Sequence, residues 1–152
     1  MSLSLVIDTS LRQGSHCNFT YNFDKLNIER YSTIKLNCLY IYHENDVNKV
    51  FNDQQDTEGT RFFLKPLHVH CSLLNKDYNF FNGKKSDVLA VIYPHMYSPR
   101  NYTTNFVLKI DSTQSKLIYP RSYMQIKLTH SNGDVVEKRG KFYVVYEFQF
   151  SQ

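Results

Sequence analysis

The segment from Phe142 to Phe150 alternates without interruption. Phe142, Val144, Tyr146, Phe148 and Phe150 fall on one parity, and Tyr143, Val145, Glu147 and Gln149 on the other. Successive side chains of an extended chain point to opposite faces, so this pattern predicts a β-strand with one face against a core. The same period recurs along the chain. Ile34, Leu36, Cys38, Tyr40 and Tyr42 alternate with Lys35, Asn37, Leu39 and Ile41, which predicts one strongly apolar face and a second, partly apolar one. Met124, Ile126 and Leu128 alternate with Tyr123, Gln125 and Lys127. Further strands are predicted at 3–7, 18–23, 67–73, 88–93 and 105–110, which makes about eight. Helical spacing is confined to 44–51, where Val47, Val50 and Phe51 stand at i, i+3 and i+4.

Tyr, Phe, Ile, Val and Thr dominate the periodic segments, and their bulk close to the backbone favours extended chain. Turn signals fall between them. Ser131-Asn132-Gly133-Asp134 holds an Asn-Gly pair suited to a type I′ turn, which needs positive φ at both central residues, and Asn82-Gly83 is a second such pair. The polar run 52–60 and the segment 93–101, with Pro94 and Pro99, predict long surface loops. Many short strands in 152 residues point to one antiparallel sandwich or barrel. Connections longer than hairpins imply strands that cross between two sheets, as in a Greek key or jelly roll. No repeat marks a propeller or β-helix.

Composition narrows the function. With 12 Tyr and 11 Phe the chain carries too many rings for a disordered segment, and no apolar run reaches the length of a membrane span. The net charge of +4 is mild, and its densest basic groups, Lys84-Lys85 and Lys138-Arg139 with Lys141, sit beside turn signals. Such charges are ordinarily solvated; the sharper alternative is a weak electrostatic contact with nucleic acid or an acidic surface. Cys17, Cys38 and Cys71 are odd in number and lack paired spacing, and no charged leader opens the chain, so a reducing compartment is expected and the sequons at Asn18 and Asn101 carry no weight.

His68-Val69-His70-Cys71 is the one local cluster of metal-ligand types. On a strand His68 and His70 share a face, but two ligands do not make a site, and His16 and Cys17 could add to it only if the fold brings them close. The expectation is therefore no metal and no cofactor. Nucleophile signatures, paired carboxylates and phosphate-cradling glycine loops are missing, so no catalytic residue is assigned and the chain is not expected to be an enzyme. Tyr123, Tyr143 and Tyr102 are candidates for stacking on bases or sugars, against a plain role in the core or in subunit contacts.

The order of segments adds a resemblance. Phe19 to Phe23 followed by Tyr31 to Tyr42, then Leu67 to Leu74 followed by Asp87 to Pro94, then Tyr123 to Asp134 followed by Phe142 to Phe148, resembles single jelly-roll minor capsid (penton) proteins of virophages and Polinton- or adintovirus-like elements. In that likeness the three pairs are an opening, a central pair and a closing hairpin. The resemblance implies an all-β antiparallel β-sandwich, a single eight-stranded jelly roll spanning 1–152. It also implies a structural virion protein, a minor capsid (penton-type) subunit that self-assembles and has no catalytic residues. Its partners would be copies of itself, as a homo-oligomer and often a pentamer, and the major capsid protein. The protein would be made in the host cytoplasm or virus factory and located in the virion. The alternatives are a trimeric viral spike or receptor-binding head, and a carbohydrate- or nucleic-acid-binding β-barrel module.

Overall fold

The computed structural model of the chain describes residues 1–43, 66–92, 106–110, 113–136 and 142–152. The helix predicted at 44–51, the loops predicted at 52–60 and 93–101, and Tyr102, Lys138, Arg139 and Lys141 lie outside the described residues. Extended chain dominates, as the alternation requires. The strands are β1 (Ser2–Asp8), β2 (Asn18–Asn22), β3 (Thr33–His43), β4 (Leu67–Cys71), β5 (Phe80–Phe81), β6 (Lys84–Lys85), β7 (Val88–Ile92), β8 (Phe106–Ile110), β9 (Lys116–Leu117), β10 (Tyr123–His130) and β11 (Phe142–Ser151). Helical structure among the described residues is limited to single 3-10 turns at Thr9–Leu11, Ile28–Arg30 and Lys76–Tyr78. Each of the eight predicted strands is present.

Apart from β5 and β6, which pair only with each other, the described strands form two antiparallel sheets. One has the order β1-β11-β3-β8, with β9 beside the start of β3; the other has the order β2-β10-β4-β7. The protein is an all-β antiparallel sandwich. Its inner faces meet in one core, with Leu5, Ile7, Ile34, Leu36, Leu39, Ile41, Val144, Tyr146, Phe148 and Phe150 from the first sheet and Leu67, Val69, Cys71, Met124, Ile126 and Leu128 from the second. Tyr146 and Phe148 stack at 6.0 Å, and Phe19 and Phe23 meet Tyr146 and Phe150 edge-on at 5.4 and 5.9 Å. Edge and offset contacts are the favoured aromatic geometries, so the rings lock the layers as well as filling them.

The alternation of β3 breaks at one place. Leu36 pairs Phe148 and Cys38 pairs Glu147, so Asn37 is an extra residue, a β-bulge. Ile34 and Leu36 point inward before it and Leu39 and Ile41 after it. Cys38 and Tyr40 therefore do not share a face with Ile34 and Leu36, contrary to the uninterrupted alternation. Asn37 and Cys38 both reach the carboxylate of Glu147, Asn37 Nδ2 donating at 3.3 Å and Cys38 Sγ at 2.8 Å. Deleting Asn37 restores strict alternation with the same residues inward. That variant is expected to fold, its melting temperature lower by about 2–4 °C for a loss near 1 kcal/mol. Deleting Leu39 also takes up the extra residue, but it leaves Cys38 to fill the place of a fully buried leucine, and the melting temperature should fall several times further than for the Asn37 deletion.

The two Asn-Gly pairs make different turns. Asn82 and Gly83, at φ 52° and 75°, are both left-handed, which is the type I′ hairpin between β5 and β6. At the other pair only Gly133 is left-handed, at φ 92°. There Gly133 N–H donates to His130 O and His130 N–H donates to Asp134 O, at 3.0 and 2.9 Å. A type I turn followed by a glycine answers the same need with one positive φ. This turn does not close a hairpin onto β11, because β10 and β11 belong to opposite sheets. The closing hairpin implied by the resemblance is thus a crossing between layers.

Two local devices finish the sandwich. Where β1 turns away at Asp8, the buried Thr9 hydroxyl takes the place of the next strand residue: it donates to Val144 O at 2.8 Å and accepts from Val144 N–H at 2.9 Å. Its single proton being committed, His16 Nδ1, 2.7 Å away, must be the donor in their contact. At the opposite end, residues 117–119 bridge the layers. Ile118 N–H bonds Ser32 O on one side, while Tyr119 N–H bonds Leu73 O and Asn75 N–H bonds Leu117 O on the other.

Candidate functional site

The polar chemistry of the described residues concentrates on the outer face of the second sheet. Alternation on β4 sends Leu67, Val69 and Cys71 inward and His68 and His70 outward. The predicted pairing of the two imidazoles on one face is observed, with ring centroids 6.3 Å apart. Cys71 points the other way, into the core, and burial pushes its thiol up to about 12. His16 bonds Thr9 and Cys17 is buried in the core, so neither joins the pair. Among the described residues no three His, Cys, Asp or Glu side chains come together to hold a metal ion.

His70 instead sits in a hydrogen-bonded chain. Its Nδ1 lies 2.8 Å from Asp87 Oδ1 and its Nε2 lies 3.0 Å from Thr129 Oγ1. A carboxylate only accepts, so Nδ1 carries the proton in the neutral ring and Thr129 donates to Nε2. Register supplies both partners. Thr129, paired with His68, lies two residues along β10 from Lys127, the partner of His70, and a bulge at Leu89 of β7 opposes Val88 to His70, with Asp87 just before it. Cys71 N–H fixes the Asp87 carbonyl at 2.9 Å. The order hydroxyl, imidazole, carboxylate resembles an acyl-transfer relay. Such a relay needs a nucleophile open to substrate, and Thr129 is 2% exposed. What the chain does here is clasp β4 to β10 and to the start of β7.

The excursion between β4 and β7 folds over this face. Asn79 Nδ2 donates to Ser86 O at 2.7 Å and to Val88 O at 3.0 Å, closing the excursion at its base. Its Phe81 ring meets His68 edge-on at 5.0 Å, which leaves His68 buried, while Tyr78 and Phe80 stay largely exposed. Lys85, one of the two basic residues at 84–85, pairs with Asp77 at 2.9 Å in solvent. Between the excursion, the 117–121 segment and β10 lies a cleft of about 450 Å³. Lys76, Asp77, Asp87, Tyr119, Arg121 and Gln125 are on its walls.

These groups give the protein an acid-sensitive face. Burial, and then the charge of His70, lower His68 below the ordinary imidazole value. The His70 hydrogen bond holds Asp87 below the usual carboxylate range, against an opposing effect of burial. An unfolded His titrates near about 6.5, so the unfolded chain takes up the His68 proton first. That contribution to stability is complete above this value and is lost as pH falls toward the lower folded value. The Asp87 contribution is complete above about 3.9, the unfolded carboxylate value, and disappears at lower pH. Both act in one direction. The melting temperature is expected to fall from pH 7 to pH 5, and His68→Gln should flatten part of that fall; an unchanged profile in the variant would remove His68 as its source.

The stacking candidates do not converge. Tyr123 is half-exposed on the outer face of the second sheet, Tyr143 lies on the outer face of the first, and Tyr102 is outside the described residues. Asp87, Thr129 and Arg121 were not legible as site residues from local motifs. The available signal was Asp87 at the mouth of a strand beside one bearing His70. The fold and this face define an all-β sandwich with a polar cleft outside its second sheet. Comparison with protein-family models, curated proteins and solved structures found no match to this chain.

Proposed function

We propose that the protein is a single jelly-roll assembly subunit, a minor capsid (penton-type) protein of a virion that works by association with copies of itself and with the major capsid protein. One observation carries the reading. Among the described residues eight strands have five residues or more, and in chain order they run first, eighth, third, sixth in one sheet and second, seventh, fourth, fifth in the other. This order supports the reading, because two interleaved Greek keys, the winding of jelly rolls with capsid subunits among them, would place the strands in the same way. The interior agrees with assembly. Tyr146, Phe148 and Phe150, each fully buried, fill the space where ligand-carrying barrels keep a chamber, so recognition is left to outer faces and loops. Fold alone does not fix a job, and the rest of the reading is the resemblance carried by the strand segments.

Size-exclusion chromatography with light scattering, followed by negative-stain microscopy of the purified chain, tests it. Rings of five support the penton reading. Three-fold particles would replace it with the spike or receptor-binding head, and a monomer at all concentrations would overturn self-assembly. A single-strand DNA titration across salt separates the remaining alternative, because phosphate contacts make affinity fall steeply with ionic strength.

A further inference from the structure

We propose that the cleft outside the second sheet is a saccharide site, and that it takes a hydroxyl-rich sugar bearing one carboxylate. The volume of about 450 Å³ suits one or two sugar rings. Three features of the wall set the chemistry. Tyr119, 56% exposed, makes no ring contact with any described residue and offers an aromatic face to the C–H face of a pyranose. Asp77, Asp87 and Gln125, also on the walls, supply acceptors and an amide, the groups that hold vicinal hydroxyls; the Gln125 amide already donates one proton to Asn18 at 3.1 Å. Arg121 makes no ion pair or hydrogen bond with any described residue, so its planar guanidinium is left for a carboxylate.

Asp77 and Asp87 offset Lys76 and Arg121 on the walls, so a doubly charged phosphate gains less there than a singly charged carboxylate whose sugar hydroxyls donate to the same acidic oxygens. Asp87 is held by His70 at 2.8 Å and needs no ordering when a ligand arrives, while Asp77 pairs with Lys85 in solvent at 2.9 Å. The walls come from one chain, so sugar binding and self-association are read by separate measurements. Loss of sugar binding and loss of self-association are therefore separate results.

The test is protein-observed NMR titration with glucuronic acid and N-acetylneuraminic acid, with glucose, inorganic phosphate and a short thymidine oligonucleotide as comparisons. An acidic sugar should saturate in the millimolar range and shift amides at 75–77, 87 and 119–125, with glucose about tenfold weaker. Arg121→Gln should remove that advantage and leave glucose unchanged, while Tyr119→Ala should weaken both. Both positions are exposed, and a thermal melt checks that each variant stays folded. No shift at about 20 mM of either acidic sugar, several times a dissociation constant of a few millimolar, overturns the proposal. Equal or stronger response to phosphate or oligonucleotide, or binding indifferent to both substitutions, overturns it as well.

Discussion

Tyr146→Asp is expected to abolish folding. The ring is fully buried, stacked on Phe148 and met edge-on by Phe19, and its hydroxyl donates to the His16 carbonyl at 2.9 Å. Burial already pushes the phenol well above its ordinary value, which reports how poorly this place tolerates charge. An aspartate there either stays ionised without a partner or is neutralised at a cost, and it loses the packing of the ring. Each of these is worth several kcal/mol, against a typical total stability of about 5–15 kcal/mol. Near-UV circular dichroism should be lost and size exclusion should show an expanded or aggregated chain. Tyr146→Phe isolates the hydroxyl and should cost only about 1 kcal/mol in urea unfolding. A folded Tyr146→Asp monomer that fails to assemble would place the ring on an interface, against the inward position found here.

Thr9→Val is the second large effect, from one oxygen atom. The substitution keeps shape and removes the hydroxyl that serves both backbone groups of Val144 and the contact with His16. Thr9 is 1% exposed, so water does not replace it. Two orphaned backbone groups at about 1–3 kcal/mol each give a loss near 3 kcal/mol, on the order of 10 °C in melting temperature for a chain of this length. Thr9→Ser keeps the hydroxyl and should recover most of it. A Thr9→Val protein that melts like the parent would mean that Val144 finds other partners.

Much of the architecture was legible because a half-buried strand writes its period into the chain. Phe142 to Phe150 and Met124 to Leu128 show it plainly, and Val144, Tyr146, Phe148, Phe150, Met124, Ile126 and Leu128 point inward as expected. The bulge on β3 escaped because both faces around it are apolar: Cys38 and Tyr40 continue the parity of Leu36 while the backbone changes face. The hairpin of β5 and β6 announced its turn through Asn82-Gly83, yet strands of two residues have no period to read. Sheet membership is a long-range property, which is why β10 and β11 read as neighbours although they lie in different layers. The cleft and the His70 clasp are harder still. Their parts come from three segments, and only register brings Asp87 and Thr129 to the same imidazole.

The place of β11 has a consequence for how the molecule is made. This strand lies between β1 and β3, pairing residues 2–8 on one side and 33–43 on the other, so the first sheet has no middle until the segment 142–151 exists. Synthesis from the ribosome proceeds in one direction, and β3, ending at His43, and β1, ending at Asp8, must both wait for the segment that begins at Phe142. Contacts of such sequence separation form late and slowly. The nascent chain therefore carries two unmated strand edges, both with apolar inward residues, until 142–151 is made. A truncation before residue 142 should give a collapsed, chaperone-bound species in place of a smaller version of the fold.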